Sequence, residues 1–284
     1  MKLKGKVAII TGASKGIGKC IAETFAKEGC NLTIVSRHLN EIRAAAEELK
    51  KSGVDVLPLK CDVSIPTEVK EMVEKTMSRF GKIDILVNNA GIYGPLGPLT
   101  DNDLEFWKKT IDINLIGTVT CTKFVLPHMI KARKGKIINF SGGGTGGPST
   151  PTLSAYITSK TAVVRFTEVI AEEVKDFNIQ VNSIAPGAVN TRLLDQVLTT
   201  ADKVDKKFLE KSIKQKETGG TPPEKAAQLV LFLASDDSNG ITGKLISAVW
   251  DDYKNFNKRL DKIKETNIYT LRRIDDNFYK EVRK

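Results

Sequence analysis

The apolar run Lys6-Val7-Ala8-Ile9-Ile10-Thr11 stops at Gly12-Ala13-Ser14-Lys15-Gly16-Ile17-Gly18. A run of that length and composition reads as a buried parallel strand. Beyond the glycines, Ile17, Ile21, Ala22 and Phe25 share one helical face, and the pattern ends near Gly29. Strand, glycine turn and helix in this order let backbone approach a pyrophosphate and aim helix N-terminal N–H groups at it. The spacing G-x-x-x-G-x-G is one variant of a dinucleotide fingerprint.

The alternation continues along the chain. Strand-like runs at Asn31–Val35, Val54–Leu59, Ile83–Val87, Gly135–Phe140 and Asn178–Ala185 are separated by longer helical patterns. Those patterns are Asn40–Lys51 with Asn40 as its N-cap, Pro66–Phe80 with Pro66 in the first turn, Asp103–Ile130, and Ser154–Phe177. Regular alternation predicts a doubly wound α/β domain, with about seven mostly parallel strands and right-handed crossovers. Ligands of such sheets bind beyond the carboxyl ends of the strands.

At the end of the second strand an NAD site places an acid on the ribose hydroxyls. Here that place holds Ser36 and Arg37, with no Asp or Glu from Asn31 to Leu39. Lys15 adds a second cation. Ser36, Arg37 and Lys15 suit a 2′-phosphate, which predicts NADP(H) over NAD(H); the competing reading is plain surface charge.

Tyr156 and Lys160 lie four apart in a helical pattern, so they share one face. An ammonium beside a phenol favours the phenolate. Such a pair exchanges a proton with an alcohol or ketone near neutral pH. By itself a Y-x-x-x-K is more often a packed Tyr under a surface Lys. Asn114, a lone amide among Ile111, Ile113, Leu115 and Ile116, reads either as a satisfied buried amide or as the support of a bend and a water near Lys160.

Composition closes off other classes. Hydrophobic residues make up 40% and charged residues 27% of the 284, as in a globular domain with a core. No run reads as a membrane span, and no apolar segment with a cleavage site follows the start, so the expected location is cytoplasmic. Cys20, Cys30, Cys61 and Cys121 show no C-x-x-C, and there are two histidines, so no metal centre is expected. The net charge of +10 is thinly spread, without a basic run of the nucleic-acid-binding kind. It reads equally as solubility or as attraction of anionic ligands.

Together these motifs resemble the short-chain dehydrogenase/reductase family in its compact, non-extended form, over residues 4 to 247. The resemblance implies a Rossmann domain over 1–249, a substrate lid at 193–219 and a C-terminal extension over 250–284. It implies that Gly12, Ser14, Lys15, Gly16, Ile17 and Gly18 surround the cofactor phosphates and adenosine ribose. Asp62 and Val63 would contact the adenine, and Asn88, Ala90 and Gly91 the adenosine side. Pro186, Gly187, Val189 and Thr191 would hold the nicotinamide end. Tyr156 becomes the general acid or base. Lys160 would lower its pKa and bind the nicotinamide ribose, and Asn114 would support a relay water. Homodimers or homotetramers, built through the helices carrying Asn114 and Tyr156, are expected.

Two departures stand out. The family's catalytic serine falls on Gly143 by counting back from Tyr156, or on Gly142 by aligning the fifth strand. Ser141, Thr145 or a glycine N–H would have to replace it; the glycines also make room for a bulky substrate. Past Ser247 the chain continues with Phe256, Leu260, Ile263, Ile268, Tyr269, Leu271, Ile274, Phe278 and Tyr279, too apolar for a solvated tail. It is expected to cover the substrate cleft or meet a partner subunit. The lid segment carries six lysines and four acids from Ala201 to Thr218, either a solvated face or a cover for an anionic substrate. The expected activity is NADP(H)-dependent interconversion of a small-molecule ketone and secondary alcohol. A nucleotide-linked or other sugar is the suggested substrate. The alternatives are a 3-oxoacyl-carrier-protein reductase and an impaired NADP(H)-binding scaffold.

Overall fold

A computed structural model describes residues 1–147 and 149–273. The chain runs β1 (Val7–Thr11), α1 (Gly16–Lys27), β2 (Asn31–Ser36), α2 (Leu39–Lys50), β3 (Val56–Lys60), α3 (Pro66–Phe80) and β4 (Ile85–Asn88). It continues with α4 (Leu104–Ile111), α5 (Gly117–Ala132), β5 (Gly135–Phe140), α6 (Ser154–Glu173) and β6 (Ile179–Ala185). It ends with α7 (Arg192–Thr199), α8 (Lys206–Glu217), α9 (Pro223–Ala234), β7 (Leu245–Ser247) and α10 (Leu260–Glu265).

The strands form one sheet in the order β3-β2-β1-β4-β5-β6-β7, every neighbouring pair parallel. Side chains alternate across it as the pleat requires. Ala8, Ile10, Leu32, Ile34, Ile85 and Val87 face a core made with α1, α2 and α9. Ile9, Val35, Leu86 and Ile137 face the opposite core, made with α3, α5 and α6. Both faces are covered, so most strand positions are buried, polar ones such as Thr33, Asn139 and Asn182 included. The chain steps outward from β1 to β3, then returns to β4 beside β1, which opens a crevice at the carboxyl ends.

Two expectations about helices change. Asn40 lies inside α2, whose N-cap is His38 without a side-chain cap bond. The stretch read as one helix over Asp103–Ile130 is α4, capped by the Asp103 carboxylate, then a π-helical turn at Asp112–Ile116, then α5. The whole helical stretch Leu104–Ala132 is long and apolar enough to cross a membrane by length and composition, and half of its most apolar window is buried. In the fold its Ile113, Cys121, Val125 and Met129 pack under the sheet.

The described tail packs on its own chain, away from the crevice. Tyr253, Phe256 and Ile263 enter the core shared with α9 and β7. The Leu245 N–H donates to the Tyr269 carbonyl at 2.7 Å, continuing the edge of β7. The buried Lys244 ammonium donates to the carbonyls of Thr266 and Ile268, and Glu168 accepts from the Leu271 N–H at 2.7 Å. The tail's Ile274, Phe278 and Tyr279 lie outside the described residues.

Candidate active site

The turn from β1 to α1 is built for close approach. Gly12 and Gly16 hold φ of 66° and 57°, and a Cβ on Gly18 would collide with the Gly12 carbonyl oxygen. Lys15 sits at the N-cap of α1 in extended conformation and makes no side-chain cap bond. The first N–H groups of α1 therefore face the crevice, a cradle of the kind that holds a pyrophosphate. Asn89 braces the turn from below, donating to the carbonyls of Thr11 and Gly12 at 2.9 and 3.1 Å.

Two adjoining cavities line this turn, sharing Gly12, Lys15, Ala90, Gly91 and Arg192. The larger, of 470 Å³, reaches Ser141, Tyr156, Lys160, Pro186 and Thr191 at its inner end. The smaller, of 180 Å³, is bounded by Ser14, Ser36, Arg37, Asp62 and Val63. Most residues expected at the cofactor thus meet in one continuous crevice. Asn88, Gly187 and Val189 stand behind its wall. The Asn88 side chain points into the interior, donating to Thr122 and to the Asn139 amide oxygen. Gly187, at φ 88°, packs against Val249, where a Cβ would have no room.

Tyr156 and Lys160 are both buried on the inward face of α6. The Lys160 ammonium donates to the Phe140 carbonyl at 2.9 Å, leaving two of its N–H groups free to face the crevice. Burial lowers its pKa to about 8. Burial, with the neighbouring Tyr93, pushes the Tyr156 phenol upward. The sequence led to the expectation of a lowering by Lys160; here burial dominates, and the Lys160 ammonium donates to the Phe140 carbonyl. Tyr93, which the sequence did not single out, stands edge-on to Tyr156 with ring centres 4.6 Å apart.

Asn114 is fully buried in the π turn. Its amide oxygen accepts from the Ile92 N–H, and its nitrogen donates to the Ile92 carbonyl and to Ser159, all at 2.9 Å. The amide is satisfied, and it sits at a distorted turn. It ties the loop after β4 to α6, and a π turn is the kind of irregularity that recurs at functional sites.

On the oxyanion side Ser141 lines the crevice, but its hydroxyl is engaged within its own loop. Ser141 donates to Thr145 at 3.0 Å, and Thr145 donates to the Gly142 carbonyl at 2.9 Å. A Cβ on Gly142 would overlap the Tyr156 hydroxyl, whereas one on Gly143 would meet nothing within 4 Å.

The glycine cradle, the open N–H groups of α1 and the buried Tyr–Lys pair fit a nicotinamide dinucleotide. The sequence pattern described as short chain dehydrogenase matches residues 6–202. The chain belongs to the short-chain dehydrogenase family. It is 36% identical over 247 residues to a 3-oxoacyl-acyl-carrier-protein reductase of Thermotoga maritima, covering 87% of this chain and 97% of that protein. Identity is 35% to dehydrogenase/reductase SDR family member 4 of Caenorhabditis elegans, over 86% of this chain and 94% of that one. Among solved structures, an NAD+-bound xylitol dehydrogenase superposes with a TM-score of 0.80 at 31% identity, over 87% of this chain and 98% of that one.

The segment 193–219, expected as a substrate lid, is built largely from α7 and α8. These helices are held by an apolar cluster of Leu96, Leu153, Val197 and Val204 against which Tyr93 and Phe208 pack. Gln196 in α7 donates to the Gly94 carbonyl at 2.8 Å. Of the charges on and beside these helices, Arg192, Asp195 and Lys216 line the main crevice, while Asp202, Lys203 and Asp205 line a separate 660 Å³ cavity. Arg192 was missed in the sequence, and Lys216 was counted only as one of six lysines in its segment, because the face each presents is fixed only by tertiary packing.

Proposed function

We propose that this short-chain dehydrogenase is an NADP(H)-dependent oxidoreductase interconverting a small-molecule ketone and a secondary alcohol. The observation that carries the reading is the Tyr156–Lys160 pair at the inner end of the crevice that begins at the glycine cradle. The dinucleotide supplies the hydride when bound. Gly12, Gly16 and Gly18 would hold its phosphates, with Ser14, Ser36, Arg37, Asp62 and Val63 around the adenosine. Pro186 and Thr191 would hold the nicotinamide end.

In reduction, Tyr156 gives its hydroxyl proton to the carbonyl oxygen; in oxidation it takes the alcohol proton. Lys160, fixed by the Phe140 carbonyl, offers the ribose hydroxyls its remaining N–H groups. Its charge favours the phenolate once hydroxyls bridge the two side chains. Asn114 positions both partners through Ile92 and Ser159, leaving the main chain of the π turn as the place for a relay water. The protein is expected to act in the cytoplasm as a homodimer or homotetramer.

For the substrate, a nucleotide-linked sugar and a 3-oxoacyl thioester are the two classes to compare. The second is favoured by the Thermotoga maritima relative; both are anionic, as Arg192 at the crevice favours, while Lys216 there is paired with Asp195 at 2.8 Å. The test is NADPH oxidation against a panel holding nucleotide-linked keto-sugars and 3-oxoacyl thioesters. Turnover should fall at least about 100-fold in Tyr156→Phe, the lower range for losing a general acid. NADPH binding without turnover on any member would favour a cofactor-binding scaffold instead.

A further inference from the structure

Two of the three side chains expected to receive a 2′-phosphate are already engaged. The Lys15 ammonium is paired with Glu41 at 2.8 Å. The Ser36 hydroxyl donates to the His38 carbonyl at 3.1 Å and accepts from the His38 N–H at 3.2 Å. Ser14 also turns toward Glu41, at 3.5 Å. Glu41 lines the small cavity along with Ser14, Lys15, Ser36, Arg37 and His38, and its carboxylate stands among the groups that would meet a ribose phosphate. From Asn31 to Leu39, through β2 and into the first residue of α2, the sequence holds no acid. Glu41 lies two residues further, on the first turn of α2, and folding brings it back over the glycine turn.

We propose that Glu41 sets the cofactor selectivity of this pocket, by competing with a 2′-phosphate for Lys15. The inference rests on the NADP(H) reading of the same site. A carboxylate and a phosphate cannot both sit against one ammonium without repelling each other. Binding of a 2′-phosphorylated nucleotide therefore requires the Lys15–Glu41 pair to open, and the nucleotide takes over the ammonium. A nucleotide with a bare ribose leaves the pair closed. Glu41 lowers the affinity for the first and leaves the second unaffected. The pair is half-exposed, so opening it costs little and the selectivity is graded.

The experiment measures Kd by calorimetry for 2′,5′-ADP and 5′-AMP, and for NADPH and NADH, on the full chain. In Glu41→Gln, Kd for 2′,5′-ADP should fall roughly fivefold, the size expected on removing one like charge from a partly solvated pocket. Kd for 5′-AMP should stay unchanged. In a Lys15→Met background the same substitution should have a visibly smaller effect, because the two residues act through one contact. Equal changes for both probes, or none, would overturn the proposal and leave Glu41 as a helix-end charge. Weaker binding of 5′-AMP and NADH in Glu41→Gln would overturn it in another way, by making Glu41 an acceptor for ribose hydroxyls. The unmutated chain tests the cofactor reading separately. If it prefers NADH, that reading falls, while a gain in 2′-phosphate affinity in Glu41→Gln still upholds the role of Glu41.

Discussion

Gly142 and Gly143 are neighbours with opposite tolerances. Any side chain at 142 must displace the Tyr156 hydroxyl, while 143 faces open space. Gly142→Ala is therefore expected to cut kcat by about 100-fold, since a proton donor displaced by even a fraction of its bond length loses its alignment. Gly143→Ser is expected to fold normally and to raise kcat/KM about tenfold, by supplying a hydroxyl to the developing oxyanion. Steady-state kinetics on both variants check this, and a gain in Gly142→Ser with none in Gly143→Ser would reverse the assignment. The sequence offered both glycines as the place of the absent serine, because counting and strand alignment differ by one residue. Only the position of Tyr156 separates them. Asn88 and Asn89 show the same limit. They are identical in type, and the direction of the pleat decides that Asn88 points inward while Asn89 braces the glycine turn.

Elements with clear signals at their ends were legible. Pro66 opens α3 at its first turn, and β5 spans Gly135–Phe140 as read. The π turn at Asp112–Ile116 was not, since one extra residue in a turn barely disturbs an apolar pattern and the contact made there, Asn114 with Ile92, is tertiary. The tail shows a different split. Its apolar content announced that it packs, but nothing local says on what. It packs behind β7 and α9, and no described tail residue lines the crevice. Phe256 is fully buried there, stacked at 5.1 Å from Tyr269. Phe256→Ala should cost about 3–5 kcal/mol of stability, as other buried Phe truncations do. The kcat of the molecules that remain folded should be unchanged. Urea unfolding together with active-site-normalised kinetics tests both halves; a selective loss of kcat would place the tail at the cleft after all.

Across the whole molecule, the alternation of strands and helices gave the fold class because both sheet faces are covered, and it put the crevice at the carboxyl ends. The same sheet buries lysines at both of its ends. Lys160 lies at the carboxyl end, in the crevice. Lys136 is the second residue of β5, at the amino end, where its ammonium donates to Ser238 and Asn239 at 3.1 and 2.9 Å. Burial lowers Lys136 from the usual 10.5 to about 8; Asp236 opposes the shift, and Lys134 and Lys6 add to it. A lysine lowered in the native state binds fewer protons there than in the unfolded chain between those two values. Its contribution to stability therefore rises as pH climbs from about 8 to 10.5, after the native amine has neutralised and while the unfolded one stays charged. Below that window both states are charged and the native state bears the full cost of burial. The stability of the unmutated chain minus that of Lys136→Met should grow across the window, read from denaturant midpoints at successive pH values. A difference that stays flat would mean that the Lys136 ammonium is not destabilised by its site. Lys160→Met should show the same pH trend. The two variants part in activity, because the crevice uses only one of the amines: Lys136→Met keeps turnover and Lys160→Met loses it.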